Sequence, residues 1–128
     1  MTALRVRGVR GAITVETDSA EAIAAASQRM LTEMLRRNRI ECDDIASVLF
    51  SLTPDLKAAF PALSARQIGL HQVPMLHFCE IDVPGSLERV IRVLMHINTA
   101  LSQHEIEHVY LERAASLRPD LLLPSSAQ

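Results

Sequence analysis

The first segment of the chain, residues 5–15, reads RVRGVRGAITV and alternates between two kinds of position. In a strand, successive residues point to opposite faces. One face carries Arg10 between the small residues Gly8 and Ala12. The other face ends in apolar residues, and its members are Val9, Gly11, Ile13 and Val15. We therefore predict a strand with a hydrophobic core on one side and an arginine on the other.

A helical period follows this strand. The sequence DSAE, residues 18–21, is typical of a capping box, with Asp18 as the N-cap and Glu21 three residues later. Asn38 suits the C-terminal end of such a helix. Apolar residues recur between these ends at helical spacing: Ile23, Ala26, Met30, Met34 and Leu35. The pattern predicts a helix that begins at Asp18 and ends near Asn38.

Residues 87–98, LERVIRVLMHIN, have an apolar spacing that fits either a helix or a strand. Their β-branched residues favour a strand. Arg92 then lies on the face away from the core, between Val90 and Leu94. The core face of this strand is predicted to consist of Leu87, Ile91, Val93, Met95 and Ile97.

Shorter elements complete the pattern. Apolar and β-branched runs predict strands at 46–52, within 73–83 and at 108–111. Short helices are predicted at 61–68 and near 112–117, with a helical turn after Ser102. Together these elements predict a single α+β domain spanning residues 1–128, with a loose tail from about residue 121. Its mixed β-sheet has about five strands, and helices pack on one face.

Composition and charge narrow the class of protein. The chain is 48% hydrophobic and 22% charged, as in ordinary globular domains. Its net charge of -2 argues against a surface for nucleic acid or acidic membranes. Two cysteines make no disulfide framework, no signal peptide opens the chain, and no apolar run is long enough to span a membrane. We expect a cytoplasmic protein with no nucleic-acid or membrane partner.

Residues 104–108, HEIEH, match the H-E-x-x-H pattern of zinc proteases. That chemistry needs His104 and His108 as ligands on one helix face, with Glu105 as general base. The helix here is too short, because the strand-like sequence HVYL begins at His108. No suitable third ligand follows. We predict a solvated helical turn and no metal.

Three predicted strands each carry one polar side chain on the face away from the core, and these are Arg10, Arg92 and Tyr110. Glu80 adds a carboxylate to an otherwise apolar strand. A half-buried arginine needs an anion. Either the arginines pair with Glu80 and other acids in a structural network, or they bind a small ligand with several negative charges. The pattern of residues leaves both possibilities open.

Four segments together resemble the AroH class of monofunctional chorismate mutases: VRGVRGAITVE, TPDLKAAFPA, VPGSLERVIRV and HVYLERAASLRPDL. They occur in order and at family-like spacing from about residue 5 to residue 121. The resemblance implies an isomerase, without a cofactor, that rearranges chorismate to prephenate in phenylalanine and tyrosine biosynthesis. It also implies a homotrimer of pseudo-barrel shape, in which residues from two chains build each active site.

The resemblance also implies roles for individual residues. Arg92 would reach the ether oxygen of the breaking bond and a carboxylate, Glu80 would hold the substrate hydroxyl, and Arg10 would bind substrate. Tyr110 would lie near a substrate carboxylate. The other positions that match the family's pocket are Phe60, Arg66, His77, Leu117 and Arg118.

His77 stands where relatives often place Cys, Ser or Thr near the substrate hydroxyl. In a regular strand His77 and Glu80 would face opposite ways. A bulge or bend is therefore required if both side chains reach the ligand.

Two other functions would also use an arginine pocket. One is a RidA-like imine hydrolase, from a trimeric α+β family, and the other is a non-catalytic regulatory module that binds an aromatic-pathway acid. A unimolecular rearrangement needs no nucleophile, proton transfer or metal. The lack of triad and phosphate-loop motifs is therefore compatible with the mutase.

Overall fold

The computed structural model describes residues 3–117, which form a mixed sheet with two α-helices. The strands are β1 (Arg5–Thr14), β2 (Ile45–Leu52), β3 (Met75–Cys79), β4 (Val90–Thr99) and β5 (Val109–Leu111). The sheet order is β3-β2-β4-β1-β5. Strand β4 is antiparallel to β1 and β2, while the edge strands β3 and β5 are parallel to their neighbours. This arrangement confirms the predicted α+β fold with a mixed sheet of five strands.

Helix α1 spans Ala20–Arg37, and helix α2 spans Pro61–Gln67. Short 3₁₀ helices lie at Cys42–Asp44, Gln103–Glu105 and Glu112–Leu117. The last of these occupies the range predicted as a helix near 112–117. The predicted tail from about residue 121 lies outside the described residues. No helix within residues 3–117 is long and apolar enough to cross a membrane.

The start of α1 differs from the prediction by one residue. Ser19, not Asp18, is the N-cap, and its hydroxyl accepts a hydrogen bond from the backbone N–H of Ala22. Asp18 instead accepts from the backbone N–H groups of Lys57 and Ala58, at 2.9 and 3.0 Å. The prediction was wrong because both residues are good caps, and a contact with a distant loop decided between them.

The core lies between one face of the sheet and the two α-helices. Met30 and Met34 of α1 and Ala65 of α2 are fully buried in the same cluster as Val9 and Ile13 of β1. The alternation predicted for β1 is confirmed by where its residues pack. Val9, Ile13 and Val15 belong to this core cluster and Gly11 faces Met34, whereas Ala12 belongs to a separate cluster with Val90 and Ala114.

Strand β4 confirms the choice of strand over helix for the ambiguous segment. Its buried residues Ile91, Val93, Met95 and Ile97 alternate as predicted. Leu87 is an exception, because it precedes the strand. It packs against a smaller cluster formed by Ala12, Val90 and Ala114 on the opposite face of the sheet.

Gly11 marks a close approach of α1 to the sheet. A Cβ atom at this position would lie 2.4 Å from Sδ of Met34 and 3.2 Å from Cγ of Met30. We expect Gly11→Ala to lower the free energy of unfolding by about 1–3 kcal/mol, the usual cost of overpacking a core. Gly8→Ala is the matched control, because its nearest neighbour is Cδ1 of Leu94 at 3.3 Å on the open face. Urea unfolding of both variants checks this, and equal stability would contradict it.

Candidate active site

The face of the sheet opposite the α-helices brings the predicted site residues together. Register places Ala12 of β1 beside Arg92 of β4 on one side and Tyr110 of β5 on the other. Directly paired residues share a face, so Arg92 and Tyr110 flank Ala12. Arg10 lies two residues before Ala12 and therefore points to the same face. Three residues that are far apart in sequence thus converge around one small side chain.

Arg92 forms an ion pair with Glu80 through its Nε atom. Both side chains are largely buried, at 27% and 16% exposure. The hydroxyl of Ser51, the cross-strand neighbour of Arg92, donates to the same Glu80 oxygen at 3.1 Å. Four of the five N–H donors of an arginine belong to its two Nη atoms. Glu80 therefore orients the guanidinium from one side while the end of the fork can still bind a ligand.

Arg10 has a different environment. Its guanidinium carbon lies 5.8 Å from the centre of the Tyr110 ring, in a cation–π contact. Within residues 3–117, no carboxylate forms an ion pair with Arg10. Of the two arginines, Arg92 therefore pairs with a carboxylate within residues 3–117, as the structural alternative requires, and Arg10 does not.

The Tyr110 hydroxyl is buried and has no hydrogen-bond partner within the described residues. Buried polar groups are almost always paired, so an unpaired one needs an explanation. A ligand carboxylate between Arg10 and Tyr110 would supply the missing partner for the hydroxyl. Leu117, like Tyr110, packs against the cluster that contains Ala12. Arg118 lies outside the described residues.

Phe60, Arg66 and His77 lie apart from this group. His77 pairs with Phe50, whose side chain is fully buried in the main core, and the two rings stack with centres 5.1 Å apart. Phe60 lies against the same imidazole, also at 5.1 Å. His77 therefore points to the helix side of the sheet, whereas Glu80 meets Ser51 and Arg92 on the other. The β2–β3 register is regular, without the bulge that would be needed to bring His77 and Glu80 to one side.

The surroundings of the His77 imidazole favour its neutral form. Its Nε2 accepts a hydrogen bond from the backbone N–H of Ala62, at 3.3 Å, in the first turn of α2. Burial lowers the pKa of His77, and the nearby positive charge of Arg66 lowers it further. His77 thus fixes the start of α2, the helix that carries Arg66 and begins after Phe60.

This lowered pKa predicts a pH-dependent stability. An unfolded chain has a histidine pKa of about 6.5, so below that pH the unfolded state binds more protons than the folded state at this site. We expect wild type to lose stability relative to His77→Phe as the pH falls from 7 to 5, because Phe keeps the ring packing but does not titrate. Urea unfolding across this range measures the difference. His71→Gln, at an exposed position, is the control, and an equal pH response of wild type and His77→Phe would refute the prediction.

The HEIEH segment does not form the helix that the zinc-protease pattern requires. Glu105 closes a capping box with Ser102, and hydrogen bonds from the Ser102 backbone and side chain lower the pKa of Glu105. His104 lies in the 3₁₀ helix, whereas His108 lies beyond it, next to β5. Residues 3–117 contain no group of three or more His, Cys, Asp or Glu side chains placed to hold a metal ion.

Two contacts of the site residues were not predicted from the sequence. Ser51 binds Glu80, and the imidazole Nδ1 of His108 accepts the backbone N–H of Arg10 at 3.0 Å. Alternation within strand β2 puts Ser51 on the face away from the core, and this is the available sequence signal for it. For His108 the sequence predicts only a place at the start of the strand 108–111, once the metal-ligand interpretation fails.

Comparisons with known proteins agree with this geometry. A sequence model of the family "Chorismate mutase type I" matches residues 6–121. Chorismate mutase AroH of Thermus thermophilus is 55% identical over 117 residues, which cover 91% of this chain and 96% of that protein. Chorismate mutase AroH of Bacillus subtilis (strain 168) is 40% identical over 126 residues, covering 98% and 99%.

A solved structure supports the same assignment. The chorismate mutase from Clostridium thermocellum superposes with a TM-score of 0.85 at 47% sequence identity. The match covers 86% of this chain and 98% of that chain. The family match extends over most of the sequence, and the similar proteins are matched over nearly their whole length. The chain therefore belongs to the chorismate mutase type I family, which is a family of isomerases.

Proposed function

We propose that this protein converts chorismate to prephenate by a unimolecular rearrangement. One bond of the enolpyruvyl ether breaks while a carbon–carbon bond forms, and no proton is transferred. The enzyme must hold the side chain over the ring and stabilise the negative charge that grows on the ether oxygen. The observation that carries the proposal is the largely buried Arg92–Glu80 pair, which lies beside Arg10 and Tyr110 in a chain of this family.

Arg92 is the residue proposed to stabilise the ether oxygen. It stays charged at all relevant pH values, and its planar fork offers several donors. Val90, on the same strand and the same face, is fully buried, and Leu94 is partly buried, so water is restricted around the guanidinium. A preorganised cation in such surroundings interacts more strongly with a developing charge than it would in water.

Glu80, Arg10 and Tyr110 complete this group in the proposal. Glu80 orients Arg92 and accepts a hydrogen bond from the substrate hydroxyl. Arg10 and the Tyr110 hydroxyl bind a substrate carboxylate, which would satisfy the buried hydroxyl. These four side chains, with Leu117, are called the arginine half-site below.

Phe60, Arg66 and His77 form the second group of the proposed pocket, called the helix half-site. Phe60 and His77 lie at the start of α2 and Arg66 lies in its last turn, on the other side of the sheet from Arg92 and Arg10. Within one chain the two groups lie on opposite sides of the sheet. Both groups of the same chain therefore cannot contact a single small molecule. We propose that the helix half-site of one subunit meets the arginine half-site of another, with Phe60 and Arg66 facing substrate and His77 holding α2 in place. Arg118 would line the same pocket.

Exposed apolar residues support assembly into the proposed homotrimer. Leu76 and Phe78 of β3 are 60% and 51% exposed on the face that carries Arg92. Phe60, the N-cap of α2, is 71% exposed and Leu63 within the helix is 55% exposed, with Arg66 one turn further on. Neighbouring exposed apolar side chains of this size often mark a surface that binds another protein. A symmetric oligomer would cover both surfaces and assemble the pockets between subunits.

A direct assay tests the proposed function. Purified protein is mixed with chorismate, the fall in chorismate absorbance is followed, and the product is identified by mass spectrometry and chromatography against prephenate. We expect enzyme-dependent formation of prephenate. Binding without turnover would favour a regulatory module, and hydrolysis of imines would favour a RidA-like enzyme. The family match over residues 6–121 favours neither alternative. A cytoplasmic location, which cell fractionation tests, is part of the proposal.

A further inference from the structure

A histidine outside the arginine half-site is bonded directly to the backbone of Arg10. The Nδ1 atom of His108 accepts the Arg10 N–H at 3.0 Å, across 98 positions of sequence. Strand β5 begins at the next residue, where Val109 pairs with Gly11. The imidazole therefore extends the β1–β5 contact by one position and binds the strand at the residue whose guanidinium is proposed to bind substrate.

The segment that carries His108 is held on both sides. The side chain of Asn38, at the end of α1, accepts the N–H of Glu107 at 2.7 Å and donates to its carbonyl at 2.8 Å. Asn38 is only 3% exposed and also donates to the Met34 carbonyl. On the other side Val109 is fully buried. Because its neighbours are fixed to α1 and to the core, His108 presents Nδ1 to Arg10 from a rigid support.

We infer that His108 is a positioning residue, which sets the place of the Arg10 guanidinium through the Arg10 backbone. This inference rests on the proposed function. The contact requires an Nδ1 without a proton, so the ring must be neutral with its hydrogen on Nε2. An imidazolium would present a donor to a donor and the contact would be lost. Arg10 has no carboxylate partner within residues 3–117 to hold it instead.

Other charged groups surround the imidazole of His108, and their titration also affects the pH dependence of kcat/KM. Arg10 faces His108 from β1. Among residues 3–117, the other charged and titratable groups that line the cleft containing His108 are Arg36, Arg37, Arg39, His104 and Glu107. Arg36 and Arg37 are paired with Glu33 on α1. A pH effect is therefore assigned to His108 only by comparing variants at that position.

Two variants whose new side chains are similar in size and shape to each other test the inference. In His108→Asn, Oδ1 replaces Nδ1 as an acceptor that does not titrate, whereas His108→Leu has no acceptor. We expect kcat/KM for chorismate to fall about threefold to tenfold in His108→Leu, the scale of one neutral hydrogen bond, and to stay within about twofold of wild type in His108→Asn. As the pH falls from 8 to 5, wild type should lose more kcat/KM than His108→Asn.

Coupling to Arg10 gives an independent readout. If His108 acts through the Arg10 guanidinium, His108→Leu should cost almost nothing further in an Arg10→Ala background. Equal kcat/KM in the Leu and Asn variants, or an undiminished loss in the Arg10→Ala background, would overturn the inference. If His108→Leu does not fold, the pH profiles of wild type and His108→Asn decide. If wild type converts chorismate but the His108 variants have unchanged kcat/KM, this inference alone is refuted. If wild type does not convert chorismate, the proposed function is refuted.

Discussion

Arg92→Ala is expected to lower kcat by about 10²–10³, the usual effect of removing one preorganised donor to a developing oxyanion. The rearrangement involves no proton transfer and no covalent enzyme intermediate, so no other catalytic group can replace the charge stabilisation by Arg92. Loss of Arg92 also leaves the largely buried Glu80 carboxylate without its cation. Steady-state kinetics with chorismate measure the effect.

The expected effect is specific to the shape of the arginine side chain. Arg92→Lys keeps the charge but not the planar fork, and Lys cannot hold Glu80 through Nε while binding substrate through two further nitrogens. It should therefore recover only part of the lost rate. Arg5→Ala is the control, because Arg5 is exposed at the start of β1, away from the site. Near-normal turnover of Arg92→Ala would contradict the role proposed for Arg92.

Glu80→Gln is expected to lower kcat/KM by about 10–10². Glutamine can still accept the Ser51 hydroxyl, but it removes the charge that pairs with Arg92. It also weakens the proposed bond to the substrate hydroxyl, because a carboxylate is the stronger acceptor. The same kinetic assay measures the loss.

A double variant separates these two contributions of Glu80. If most of the loss arises from misplacement of Arg92, Glu80→Gln should add little to Arg92→Ala. Glu88→Gln is the matched control, because Glu88 is an exposed carboxylate paired with Arg89 outside the site. Wild-type kinetics in Glu80→Gln would show that the carboxylate has no part in the reaction.

The sequence pattern predicted the faces of the strands but not the neighbours across the sheet. Alternation alone placed Arg10 and Arg92 away from the core, since it depends only on local geometry. The row that links Phe78, Ser51, Arg92, Ala12 and Tyr110 depends on the order of five strands. That order is set by packing between distant segments, which explains why the contacts of Ser51 and His108 were missed.

His77 shows where family resemblance and local geometry give different information. The resemblance assigned His77 and Glu80 to one pocket, and strand alternation opposed this within one chain. The regular β2–β3 register keeps them on opposite faces. A pocket shared by two chains, as proposed, removes the conflict because each side chain can belong to a different half-site.

Subunit complementation tests the central claim, that each active site joins half-sites from two chains. Arg92→Ala alters the arginine half-site and Arg66→Ala the helix half-site, so each variant alone should be strongly impaired. After the two are unfolded together and refolded, random assembly would give about a quarter of the sites two intact halves. The control mixture of Arg92→Ala with Glu80→Ala, both in the arginine half-site, has none. The proposed arrangement predicts recovery of up to about a quarter of wild-type activity in the first mixture alone. No recovery in that mixture, with mixed oligomers verified by mass spectrometry, would contradict it.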